Sequence, residues 1–263
     1  MEKIHPLNLL FIFLGGLVLL FIIAPLAGLF LATSPAELFD TAVEKEVAGS
    51  IWLTVWTSMS ATLIFALAAI PFSWILARKS FPLKRLVTAI IDVPVVIPHS
   101  AAGIAILGLV SRDTIVGQAG EKVGLSFTGN PAGIIIAMAF VSIPFLINAA
   151  RNGFAAVPEK LEKAAHNLGA SHLRVFFTIS LPLAWRSVLS GMIMMWGRGM
   201  SEFGAVIIVA YHPMVAPVLI WERFTSYGLA YARPVAVVFI IVCLILFVLM
   251  RLLSTRYDNV KNQ

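Results

Sequence analysis

The chain has 263 residues, of which 60% are hydrophobic and only 12% charged, and 19 Lys and Arg against 13 Asp and Glu give a net charge of +6. A soluble domain carries about 25% charged residues, and a soluble fold of this length has too little interior to hide so much apolar surface. A large soluble all-α core is therefore excluded, and the pattern is that of an all-α polytopic membrane protein.

Six runs are apolar enough to cross a bilayer, which takes roughly 20 residues of helix. They lie at 7–31, 51–77, 86–110, 131–150, 183–210 and 231–253. The first follows a charged start, as a cleaved signal peptide would. It is too long for a signal core, and no small-x-small cleavage site follows, so it is expected to be a retained span. The fifth is long and glycine-rich, and its outer end is expected to bend or break. Cys243 lies in the last run, where a small buried hydrophobe is its expected part. As the lone cysteine it permits no internal disulfide and no cysteine-built metal site.

The connecting segments set the orientation. Segments 1–6, 78–85, 151–182 and 254–263, with Arg186 and Arg251 at span ends, hold 13 of the 19 basic residues. The opposite side holds Lys45, Arg112, Lys122, Arg223 and Arg233, together with the acidic stretch Glu37, Asp40, Glu44 and Glu46. Excess Lys and Arg mark the cytoplasmic side, so both termini are expected there. The basic balance thus reflects topology, and no nucleic-acid partner is expected.

Residues 158–182 form the longest polar segment between spans. Pro158 suits a helix start, where a missing N–H costs nothing, and Glu159 favours the positive end of the helix dipole. Leu161, Ala164, Ala165 and Leu168 follow at helical spacing on one face. Gly169 is placed to end that helix and Ser171 to cap a second one. Leu173, Phe176, Phe177 and Ser180 would make the second helix's face, and Pro182 would open the next span. Read from the pattern alone, the block is a helical hairpin that lies on lipid or grips another protein.

Two stretches inside the spans carry polar groups. In 92–103, Pro94 and Pro98 each remove a helix hydrogen bond and favour a kink, beside Asp92, His99 and Ser100. Broken backbone at membrane depth is tolerated where it is packed in protein or lines a wet cavity. The stretch is either a hinge on a pathway, or Asp92 caps the resumed helix while His99 packs on another span. In 197–205, Arg198 and Glu202 are four apart and share a helix face. A charge at the membrane centre costs about 2.5 kcal/mol or more, so the pair stitches helices or serves a gate near the outer side. Gly191, Gly197, Gly199, Ser201 and Gly204 leave room for close helix approach. The stretch 211–224, with two prolines, is expected as a short surface element whose Trp221 and Phe224 sit at the membrane interface.

The spacing from Gly169 to Leu181-Pro182, between the fourth and fifth spans on the positive side, resembles the "EAA" loop of ABC importer permeases. In that family the loop is a cytoplasmic coupling helix seated in a cleft of an ATPase subunit. The resemblance implies a type I importer permease fold of about six transmembrane helices with cytoplasmic coupling helices. It divides the chain into a first span with its external segment (1–50), the transmembrane domain (51–253, coupling helices within 158–182) and a cytoplasmic tail (254–263). It assigns ATPase coupling to Lys163, Ala164, Ala165, Leu168, Gly169, Ala170, Ser171, Phe176, Leu181 and Pro182. One residue departs from the pattern: Lys163 stands where the family has glutamate, and Glu162 is one place early.

The runs 77–85, 92–107 and 197–224 further resemble permeases for molybdate or tungstate of the archaeal kind, with sulfate and thiosulfate permeases as close relatives. The implied partners are two ATPase subunits, an extracellular oxyanion-binding protein, a second copy of this chain and membrane lipid. No P-loop run G-x-x-x-x-G-K-[ST] occurs in the sequence, so ATP and Mg are expected on the ATPase. Asp92, Pro94, Pro98, His99, Ser100, Arg198, Ser201 and Glu202 are the pathway or gate candidates. No metal site and no catalytic constellation are expected, because the five histidines are scattered along the chain. The rival classes are an enzyme, a passive channel and an ion-coupled carrier.

Overall fold

The computed structural model describes residues 6–260. Lys3, His5 and Lys261 lie outside the described residues. The described chain is helical: α1 Pro6–Leu31, α2 Pro35–Val43, α3 Lys45–Arg78, α4 Lys84–Val96, α5 His99–Val110, α6 Ile115–Lys122 and α7 Pro131–Ala156 come first. They are followed by α8 Glu159–Asn167, α9 His172–Val175, a π-turn over Phe176–Ser180, α10 Leu181–Met200, α11 Gly204–Val209, α12 Ala216–Tyr227 and α13 Leu229–Val260.

Helix α7 is the centre. Small residues on its flanks let neighbours approach: a Cβ on Gly153 would stand 2.4 Å from the Ser187 Cβ on α10, and one on Gly191 of α10 would stand 2.9 Å from the Ala149 Cβ. Helices α3 and α10 pack along α7, and Ile134, Ala137, Met138, Leu146 and Phe154 fill the seam. The buried side of α3 also carries hydroxyls. Ser50, Thr54, Ser58, Thr62 and Ser73 each bond a carbonyl three or four residues back, which satisfies them inside an apolar bundle. Thr54 also accepts the N–H of Ala216 at 2.8 Å and so ties the start of α12 to α3.

Five helices are long and apolar enough to cross a membrane: Leu7–Leu31, Lys45–Arg78, Pro131–Ala156, His172–Met200 and Leu229–Met250. The kink expected within 86–110 is a full break. There α4 and α5 meet at 111°. Contacts at the two ends of α7 show how the chain still crosses there. Arg78 donates to the Val157 carbonyl just past the C-terminus of α7, and Gly129, just before its N-terminus, donates to Val209. The 26 residues of α7 separate those points by about 39 Å, so residues 79–128 pass from one end of the bundle to the other. The crossing count of six stands, with the third crossing made of two half-helices.

The break falls at Ile97–Pro98 and not at Pro94, which lies buried inside α4. Ile97 takes the extended conformation (φ −72°, ψ 149°) that a following proline favours, and Pro98 precedes the first turn of α5. One further expectation is corrected. The second coupling helix and the fifth span run on as one helix from His172 to Met200, so the span does not begin at Pro182, which sits at the second position of α10 directly after the π-turn. Within the expected surface element 211–224, residues from Ala216 on belong to a helix that packs by Ala216, Val218 and Leu219 on α13 and α3, while Trp221 and Phe224 are exposed. Helix α13 continues past the end of its apolar span at Met250 as far as Val260.

Helix α1 packs little against the rest. Its leucines, isoleucines and phenylalanines are exposed from Leu7 to Leu26, a surface that only lipid or another apolar partner covers favourably.

Candidate functional site

Two sites emerge, one at the polar block and one at the bent crossing. In the block, α8 ends in a Schellman turn: Gly169 N–H bonds the His166 carbonyl at 2.9 Å and Ala170 N–H bonds that of Ala165 at 3.0 Å. The turn requires the left-handed φ of +85° at Gly169. Ser171 accepts the Arg174 N–H and starts the next helix, as its sequence position suggests.

The two faces of α8 have different fates. Glu162 is buried, and its carboxylate takes a bidentate pair of bonds from Arg78 at 2.9–3.0 Å together with the Ser180 hydroxyl at 2.6 Å. This strut joins α8 to the end of α3 and to the π-turn. Burial alone would raise the Glu162 carboxyl. The hydrogen bonds from Arg78 and Ser180, with the Arg78 charge, outweigh it and hold the group below the ordinary glutamate range. Lys163 instead faces solvent and pairs with Glu159 at 3.0 Å. The shift of glutamate by one place therefore makes an internal strut, a role the sequence pattern did not reveal.

The apolar residues of the block do the opposite of what apolar residues do in a core. Leu168 is 89% exposed and Leu173 73% exposed, with Leu161 and Phe177 also open. Ala164 is exposed as well, while Ala165 and Ala170 are half-buried. Phe176 is the exception: it is buried against Trp74 and Phe154 and anchors the block instead of sharing the open face. Leu181 is half-buried against the core and Pro182 is exposed.

At the bend, the structure brings together His99, Arg198 and Glu202. Glu202 is completely buried, with Oε2 2.9 Å from His99 Nδ1 and 3.0 Å from Arg198 Nη2. Its Oε1 accepts the Ala205 N–H at 2.9 Å. The fifth span breaks here, as its glycines suggest: α10 stops at Met200 and α11 resumes at Gly204. Gly204 is required, because a Cβ there would lie 2.7 Å from the His99 Cβ. Gly103 serves the same seam, since its Cβ would meet the Ala205 carbonyl at 2.9 Å. Gly197, by contrast, has open space around it. Ser100 and Ser201 are exposed at the rim. Asp92 stands apart from this cluster and caps nothing: it accepts from Asn148 of α7 at 2.7 Å and joins α4 to the core.

The helical bundle, with five or six candidate spans, a buried carboxylate strut under an open apolar face and a polar cluster where two helices break together, is that of a multi-pass membrane protein. A family model for the binding-protein-dependent transport system inner membrane component matches residues 69–259, and the chain belongs to that family. The molybdate/tungstate transport system permease protein WtpB of Thermococcus kodakarensis is 44% identical over 94% of this chain and 96% of its own length. The protein of that name from Pyrococcus furiosus is 42% identical over 98% and 100%. The sulfate transport system permease protein CysT of Synechocystis is more distant, 29% identical over 92% and 88%. Among solved structures, a bacterial ABC transporter that imports alginate matches with a TM-score of 0.73 at 16% identity, covering 94% of this chain and 95% of that one. The MetNI methionine ABC transporter matches with a TM-score of 0.62 at 16% identity, covering 81% and 95%. These two likenesses concern the fold.

Proposed function

We propose that this chain is the membrane permease of an ATP-driven, binding-protein-dependent importer of molybdate and tungstate. The observation that carries the reading is the open apolar face of 161–173, braced by Arg78–Glu162–Ser180 yet covered by nothing among the described residues. Exposed leucines on a braced helical block fit the cleft of a second protein. In the importer reading that protein is an ATPase subunit, which carries the ATP and Mg.

The substrate class follows the relatives named molybdate/tungstate permeases, whose identity to this chain is well above that of the sulfate permease. The complete assembly is two copies of this chain, two ATPase subunits on the cytoplasmic side with both termini, and an oxyanion-binding protein on the outer side. ATP closes the ATPase pair, and α8 moves with it. Because the strut fixes α8 to α3 and to the continuous helix 172–200, that motion passes to two core helices as a rigid-body displacement. The anion is moved without bond making.

The test is uptake into proteoliposomes holding this chain and its ATPase, with ATP inside and tungstate-loaded binding protein outside. The expected result is ATP-dependent tungstate uptake, blocked by molybdate and not by sulfate. Uptake blocked equally by sulfate would move the assignment to a general oxyanion permease, and uptake without ATP would overturn the coupling role.

A further inference from the structure

The His99–Arg198–Glu202 cluster has a layered geometry. Arg198 Nη2 lies 3.0 Å from His99 Nδ1 and 2.9 Å from Nε2. A point that near both ring nitrogens cannot lie in the imidazole plane without striking the ring, so the guanidinium stands over its face, as a cation does on an aromatic system. His99 Nδ1 also lies 2.9 Å from Glu202 Oε2, an oxygen that accepts no hydrogen bond among the described residues and has Arg198 as its ion-pair partner. Glu202 forms the rear wall at 0% exposure, with its second oxygen occupied by Ala205. The front is open: the side chains of His99 and Arg198 are 35% and 22% exposed, and Ser100 and Ser201 are exposed beside them.

The front carries donors. Arg198 has five N–H groups, and among the described residues they meet Glu202, Ser201 and the His99 ring. The first amides of α5, a helix of 12 residues, have no capping side chain, and helix N-termini favour anions. Arg198 and Glu202 cancel in charge, so these donors act with little net field.

We propose that His99, Arg198, Ser100 and Ser201 form a low-affinity relay site for a tetrahedral oxyanion dianion at the bend of the third crossing, a proposal that rests on the oxyanion-import reading above. The rear carboxylate holds Arg198 in place and, by cancelling its charge, keeps the anion from being trapped. A pathway fed by a binding protein needs such a hand-off point, where binding is weak enough for release.

The test uses chemical protection, which does not depend on transport. In a Cys243→Ala background, Ser100→Cys is modified by a water-soluble thiol reagent in the nucleotide-free complex with its ATPase. Millimolar sodium tungstate is expected to slow modification several-fold relative to sodium chloride of equal ionic strength. The double variant Arg198→Gln/Glu202→Gln leaves no buried unpaired charge and is expected to fold, to be modified at the parental rate and to lose the protection. No slowing by tungstate, or equal slowing in the double variant, would overturn the site. Equal slowing by sulfate supports it as a site for the whole dianion class. Protection that persists where ATP-driven uptake is absent would sink the import reading and not the site.

Discussion

Glu162 and Lys163 are neighbours in sequence, yet one is a buried strut and the other a solvated cation. Arg78, its side chain 7% exposed, loses its counter-charge if Glu162 is replaced by Ala, and breaking such a buried pair costs about 3–5 kcal/mol. The Glu162→Ala protein is expected to show a clearly lower Tm in detergent and weakened coupling of ATP hydrolysis to uptake. The pH dependence has a definite sign. A carboxyl held below its ordinary range stabilises the fold at pH above that range, and the contribution is lost as pH falls from there through the lowered folded-state value. Melting followed against pH should therefore show an acid-side loss that is shallower in Glu162→Gln, whose neutral-pH Tm is lower from the start. An equal acid slope in both proteins would remove the strut from the account. Gly204 is a second residue whose size alone matters. Valine there would meet the His99 Cβ, and overpacking of this kind costs about 1–3 kcal/mol. The Gly204→Val protein should lose uptake and melt lower, while Gly197→Val, in open space, should leave the Tm of the bundle unchanged.

At the scale of elements, the block 158–182 separates what holds it from what it offers. Phe176, Glu162 and Ser180 face inward, and Leu161, Leu168 and Leu173 face outward. The double substitution Leu168→Asp/Leu173→Asp touches no core contact and should change the chain's own stability by about 0.5 kcal/mol or less per site. Co-purification with the ATPase is expected to fall sharply. Normal co-purification would show that the face docks elsewhere. The helical period of these leucines was legible in sequence, as were the Gly169 stop and the Ser171 cap, because caps and turns are decided within a few residues. The inward turn of Phe176 was not. It depends on Trp74 and Phe154, on two other helices. The break at Pro98 was likewise only half legible: both Pro94 and Pro98 disfavour helix, and the packing of α4 against α7 retains the first inside a helix.

For the whole molecule, the six crossings follow a simple alternation, and the ends of α3 and α7 that meet at Arg78 and Val157 lie on the side of the basic segments. A protease-sensitive tag at either terminus should therefore be protected in right-side-out vesicles, and digestion of either would break the topology. The apolar runs were determined by the sequence alone, because hydrophobic length is a property of composition that needs no tertiary contact, and the expected orientation rests on the Lys/Arg bias in the same way. The polar block and its turn were determined there too, by residues close in the chain. Only the tertiary structure decided that Glu162 pairs with a residue 84 positions away, that Thr54 caps α12, that the third crossing folds at 111°, and that His99 stacks under Arg198. Each of these depends on which helix faces meet, and that is settled by the fit of small residues in the seams around α7, a relation between distant segments that no local pattern encodes.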